Sequence, residues 1–296
     1  MKGIALLVGL GPLIGWGLFP TIAAKIGGKP VNQIIGATFG TFIFAVIYNL
    51  MQGIALPTGS ALIWSIISGI GWANAQILTF HSFTLIGSSG TMPITTAFQL
   101  LGTSLWGVFA LGDWPSTNDK LVGFLALALI VLGAWMTTWT EKKTDENSAK
   151  LRKAVIVLLI GEIGYWAYSA APQAAKIDGS KAFLPQAIGM CLDAIFYAIY
   201  LKGKNPNQAI ALAQRISYKQ IISGFFFAFA ALTYLISAQP DMNGLATGFI
   251  LSQTSVVLAT LTGIWFLHES KTKKEMIVTL VGLAIIIGAA TMTVIV

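Results

Sequence analysis

The chain of 296 residues has a single cysteine, Cys191, and only two histidines, His81 and His268. One cysteine excludes an internal disulfide framework and a cysteine-built zinc site. No HExxH sequence and no Asp-rich metal cluster occurs, so neither a metal nor a cofactor is expected. Charge is scarce as well. A soluble domain carries roughly 25% charged residues; here they make up 10%, while 55% of residues are apolar and mean hydropathy is +0.77. The longest hydrophilic stretch, EKKTDENSAKLRK at 141–153, is too short to form a domain. What fills the chain is a succession of apolar runs, each close to the about 20 residues that a bilayer-crossing helix needs. The reading is an all-α integral membrane protein.

Ten transmembrane helices are expected, at 4–24, 31–51, 60–80, 89–111, 120–139, 154–173, 182–201, 218–238, 245–267 and 275–295, with 141–153 as a linker. With loops assigned alternately to the two sides, fourteen of the 18 Lys and Arg fall on one side. Only Lys2, Lys120, Lys176 and Lys181 fall on the other. The positive-inside rule makes the richer side cytoplasmic. Both termini of a multi-pass cell-membrane protein are then extracytoplasmic, and the linker is cytoplasmic. The net charge of +7 reflects orientation in the lipid bilayer, and no nucleic-acid partner is expected. Lys2 followed by an apolar run ending near Ala23 and Ala24 has the form of a signal peptide. A full counterpart of that run in the sixth span argues that it is retained.

The chain repeats itself half its length apart. AAKIGGK at 23–29 returns as AAKIDGSK at 174–181, and QIIG at 33–36 as QAIG at 186–189. LLVG at 6–9 matches LLIG at 158–161, IISG at 66–69 matches IISG at 221–224, and TSLWGVFALGD at 103–113 aligns with ATLTGIWFLHE at 259–269. The series is collinear, with an offset drifting from about 150 to 156. Residues 1–140 and 154–296 are therefore two five-helix repeats. Because five is odd, the second copy must insert upside down. Inverted repeats of this kind carry a substrate site near the midplane and expose it to either side by rocking.

Polar side chains facing lipid are costly, so polar stripes mark the bundle interior or a cavity. In the third span Ser68, Trp72, Gln76 and Thr79 share one helical face, with Asn74 off it. In the fourth, Thr95, Gln99, Thr103 and Trp106 repeat that spacing. The sixth offers Glu162, Tyr165, Trp166 and Ser169, the seventh Gln186, Gly189 and Asp193, and the ninth Ser252, Gln253 and Ser255. Small and hydroxyl residues in membrane helices commonly serve packing, whereas a mid-span glutamine has four hydrogen-bonding sites to satisfy. Amides that pair with vicinal hydroxyls, and indoles that stack on a sugar's C–H face, suit a neutral polyol. No Lys or Arg lies mid-span to neutralise a phosphate. The substrate-binding candidates are Trp72, Asn74, Gln76, Gln99 and Gln253, placed between the third, fourth, eighth and ninth spans. Glu162, about 12 Å into its span, is the candidate proton-coupling carboxyl, with Asp193 as the weaker one.

GWANAQ at 71–76, GSSGTMPITTAFQLLGTSLWGVFALGDW at 87–114, LPQAIG at 184–189 and ILSQTSVVLATLTGIWFLHESKTKKE at 250–275 resemble the glucose/ribose uptake family of the drug/metabolite transporter superfamily. The resemblance runs over essentially the whole chain and is closest to the ribose branch. It implies ten spans, import of a monosaccharide (ribose or glucose) and proton symport, with no obligate protein partner. In the family pattern the position before TMP often carries Arg; here it is Gly90.

Two other readings compete. Gly87-Ser88-Ser89-Gly90 matches the G-x-S-G of rhomboid-type serine proteases, which need a histidine base. Both histidines lie at span ends, and a ten-span inverted repeat is the wrong fold, so the protein is not expected to be an enzyme. The nearer rival is a proton-coupled exporter of cationic drugs or amines, in which Glu162 and Asp193 would pair with an ammonium.

Overall fold

In a bilayer no water reaches backbone N–H and C=O groups, so a spanning segment must satisfy them internally, as a helix does. The computed structural model describes residues 2–106, 108–109, 114, 116–142, 144–174, 177–237, 242 and 251–295, and the regular structure among them is helical throughout. The elements are α1 (Lys2–Gly9), α2 (Gly11–Ile26), α3 (Pro30–Gln52), α4 (Gly59–Trp106), α5 (Thr117–Thr137), α6 (Asp145–Ala174), α7 (Gly179–Lys204), a 3-10 turn (Ala211–Ala213), α8 (Arg215–Lys219), α9 (Ile221–Ser237), α10 (Ser255–Phe266) and α11 (Lys273–Ile295). Seven helical stretches among the described residues are long and apolar enough to cross a membrane: α1 with α2, α3, α4, α5, α7, α8 with α9, and α11.

The 48 residues of α4 would run about 72 Å as one rod, more than twice the hydrocarbon core of about 30 Å. The backbone resolves this at Gly87, with φ 72° and ψ 174°, a region essentially reserved for glycine. Two arms result, 59–86 and 88–106, on the third and fourth expected spans. The expected linker is also shorter than read. Asp145 to Lys153 already belong to α6. Thr144 caps the helix by accepting from Asn147 N at 3.1 Å, and Asp145 and Glu146 favour the positive helix start. Glu146 pairs with Lys150 at 2.6 Å, one turn on. A hydrophilic composition alone does not distinguish such a helical extension from a loop.

The repeated tetrads build the closest helix contacts. A Cβ added at Gly36 would fall 2.1 Å from Ser217 O, and one at Gly224 would fall 2.3 Å from Ala37 O, where α3 meets the α8–α9 segment. Their counterparts do the same between α7 and the first arm of α4: 2.2 Å from Ile66 O at Gly189 and 1.9 Å from Gln186 O at Gly69. Backbones approach this closely only where no side chain intervenes. Helix α2 lies against α9 and α10, while α6 lies against both arms of α4; α3 packs on α7, and α5 on α11. Exchanging the first half of the chain for the second returns this same set of neighbours. At the centre, Phe19, Trp72, Phe80 and Phe227 form an aromatic cluster in which Trp72 and Phe227 have ring centroids 4.0 Å apart.

Candidate functional site: the α4–α6 interface

The face of α6 that carries Glu162, Tyr165 and Trp166 is turned toward the two arms of α4. Tyr165 is buried and donates to Gln76 Oε1 at 3.0 Å. Its hydroxyl also lies 3.0 Å from Thr79 Oγ1, which in turn donates to Ala75 O. Ser68, two turns closer than Gln76 to the start of α4, donates to Tyr168 O at 2.7 Å and accepts from Gln186 Nε2 at 2.9 Å. The stripe Ser68–Gln76–Thr79 thus binds α4, α6 and α7 together.

Trp166 reaches the other arm: a Cβ added at Gly102 would fall 1.7 Å from its Nε1. On that arm Gln99, half-buried, donates to Thr95 Oγ1 at 3.3 Å. Between these contacts sits Glu162, 2% exposed, with neither carboxyl oxygen in good hydrogen-bond geometry; Trp166 and Tyr165 are its polar neighbours. A carboxyl group buried beside a phenol hydroxyl and an indole is costly to hold as a charge, and ionisable groups kept inside membrane helices despite that cost are characteristic of functional sites.

The other expected residues are dispersed. Trp72 is 3% exposed and packed in the aromatic cluster rather than lining an opening. Asn74 faces outward, on the strip that carries Ile67 and Ile70. Gln253 is buried, donating to its neighbour Ser252 at 3.2 Å. Asp193 is half-buried, and its Oδ2 lacks a partner. Gln186 works as structural glue through Ser68. The side chains of Thr103 and Ser169 lie outside the described residues, as does Asp113.

At the end of the bundle where α4 bends, Glu269 accepts from Ser88 N at 2.8 Å, from Ser88 Oγ at 3.0 Å and from Ser89 N at 2.9 Å. The GSSG sequence is thus a cap for a carboxylate, which occupies the space a side chain at Gly87 would need (2.7 Å). This contact was legible only as two facts in separate halves, a Gly-Ser-Ser helix start and a glutamate ending the ATLTGIWFLHE repeat. Beside it lies a cavity of about 560 Å³ lined by Trp135, Thr138, Trp139, Asn147, Arg152 and Lys271 among others. Lys271 donates to Thr137 O at 2.9 Å, and burial pushes its ammonium below the usual lysine range, against the pull of Glu275 and Glu269. Glu275 accepts from Glu141 N and Thr272 N, both at 2.9 Å, tying the start of α11 to the segment after α5.

A protein-family model described as "Sugar transport protein" matches residues 7–296. The chain is 88% identical over 296 residues, covering 100% of both, to a protein of Lactobacillus johnsonii named "Putative ribose uptake protein RbsU". Proteins of the same name from Lactiplantibacillus plantarum and Staphylococcus epidermidis are 67% and 65% identical over 294 residues, with 99% of each chain covered. A crystal structure 15% identical in sequence superposes with a TM-score of 0.64 over 99% of both chains, which establishes a shared fold. With relatives this similar over their full length and a family model matched from residue 7 to the last, the chain belongs to the sugar transport protein family.

Proposed function

We propose that the protein imports a neutral monosaccharide, with ribose the first candidate, by alternating access of two inverted five-helix repeats in the cell membrane. The collinear repeats support the architecture, as does the helix packing that maps onto itself when the halves are exchanged. The names of the relatives support sugar uptake. The observation that carries the coupling is Glu162, a buried carboxyl with both oxygens unpaired at the α4–α6 interface. In this reading Gln76 and Gln99 supply amides to the sugar hydroxyls, and Glu162 takes up and gives back a proton in each cycle. Tyr165 holds Gln76 and lies within the electrostatic reach of Glu162, so a charge on Glu162 would be felt by the group that positions the Gln76 amide. Proteoliposome counterflow with labelled pentoses and hexoses tests substrate class directly. Exchange of ribose, with weaker exchange of hexoses, is expected; no exchange of any sugar overturns the reading.

The second reading, export of cationic amines, draws on the unpaired carboxyl oxygens of Glu162 and Asp193. It predicts that cells expressing the protein survive toxic cations and that labelled sugar does not exchange.

A further inference from the structure

Asn74 is an exposed polar residue in the middle of the first arm of α4; Ser60 and Thr84, also exposed, lie at its ends. That arm runs from Gly59 to the bend at Gly87. At 1.5 Å per residue Asn74 lies about 22 Å from one end and about 18 Å from the other, close to the middle of a bilayer core of about 30 Å. Ser68, Gln76 and Thr79 are buried and hydrogen-bonded to α6 or α7. Asn74 is exposed. It shares its face with Ile63, Ile67 and Ile70, which are 58%, 38% and 38% exposed. In this bundle that face looks away from the aromatic centre, which Trp72 and Phe80 occupy from the opposite side of the helix. A carboxamide presented to hydrocarbon forfeits as many as four hydrogen bonds, and polar residues in membrane helices are found where something pairs with them.

The chemistry of the side chain indicates what that partner is. Ile63, Ile67, Ile70 and Asn74 stand at i, i+4, i+7 and i+11 and so form one straight strip, along which a second helix can lie. A carboxamide carries donors and an acceptor, so it is complementary to itself. A two-fold axis along the membrane normal sets the same residue of two parallel copies face to face, and a single polar residue in an apolar seam fixes register.

We propose that a second copy of this chain packs on the Ile63–Asn74 strip, with the two Asn74 side chains hydrogen-bonded to each other at the membrane centre.

The test uses the full chain with Cys191 replaced by Ala. Ile70→Cys, in native membranes under mild oxidation, is expected to form a disulfide-linked dimer. Leu132→Cys, at an exposed position on α5, serves as the control and should not. In lipid, single-molecule photobleaching should show Asn74→Leu dimers dissociating about five- to thirty-fold more readily, as the strength of polar contacts between membrane helices implies. Asn74→Gln should retain most of the dimer. Because Asn74 has no partner within the described chain, Asn74→Leu should remain monodisperse and folded, so a loss of dimer is readable. A parent chain that is monomeric in lipid, a dimer unchanged by Asn74→Leu, or cross-linking at Leu132→Cys as strong as at Ile70→Cys would overturn the proposal.

Discussion

The amide of Gln76 illustrates how a single buried residue can serve two ends. Its oxygen is held by Tyr165 at 3.0 Å, which fixes the side chain's rotamer; under the proposed function its NH2 group is the part that would meet the sugar. Losing an amide that pairs with a sugar hydroxyl leaves that hydroxyl or its partner unsatisfied, at about 1–3 kcal/mol. Gln99→Ala should therefore weaken sugar binding by about ten- to a hundred-fold, measured by intrinsic tryptophan quenching or equilibrium dialysis. Unchanged affinity in both Gln76→Ala and Gln99→Ala would remove these residues from the site. Tyr165→Phe leaves Gln76 Oε1 and Thr79 each short of a partner and should lower thermal stability by about 1–3 kcal/mol. Trp72→Ala should act mainly on stability, at about 3–5 kcal/mol, because its indole is packed against Phe227. Residue types alone disclosed which side chains are polar and mid-span. They did not disclose that Tyr165 satisfies Gln76 or that Asn74 faces outward, since both depend on how the helix is rotated against neighbours far away in sequence.

Among the elements, the glycine contacts carry the clearest consequence. Gly69 and Gly224 end the two IISG tetrads, and each lies against a backbone carbonyl of the facing helix. A methyl group there cannot be accommodated without parting the helices, so Gly69→Ala and Gly224→Ala should each destabilise the protein by about 1–3 kcal/mol. Gly53→Ala tests the contrast: nothing lies within 4 Å of its Cβ position, and only the strain of φ 61° opposes it. Thermal unfolding in detergent checks both; equal losses at all three positions would contradict the packing account. The tetrads were legible as repeats, but their purpose became readable only when Gly69 was found on Gln186 and Gly224 on Ala37. The bend at Gly87 was legible as a boundary between two spans. Its cap was not, because Glu269 lies 181 residues from Ser88 and no local signal joins them. Glu269→Ala removes three hydrogen bonds from that cap and should loosen the bend by about 1–3 kcal/mol, seen as faster hydrogen exchange at residues 88–91.

For the molecule as a whole, the account requires opposite orientation of two halves around one midplane carboxyl. Topology follows from the charge bias: with Cys191 replaced, an impermeant thiol reagent added to intact cells should label a cysteine at position 296 and not one at 147. The opposite pattern would invert the bundle. The central claim is that sugar movement and proton movement meet at Glu162, and one measurement addresses it directly. Reconstitute the protein and its Glu162→Gln variant in proteoliposomes, impose a pH gradient, and follow accumulation of labelled ribose alongside ribose counterflow. The account predicts that the parent accumulates ribose against its gradient and that Glu162→Gln still exchanges ribose but no longer accumulates it. Accumulation by Glu162→Gln equal to that of the parent would contradict it.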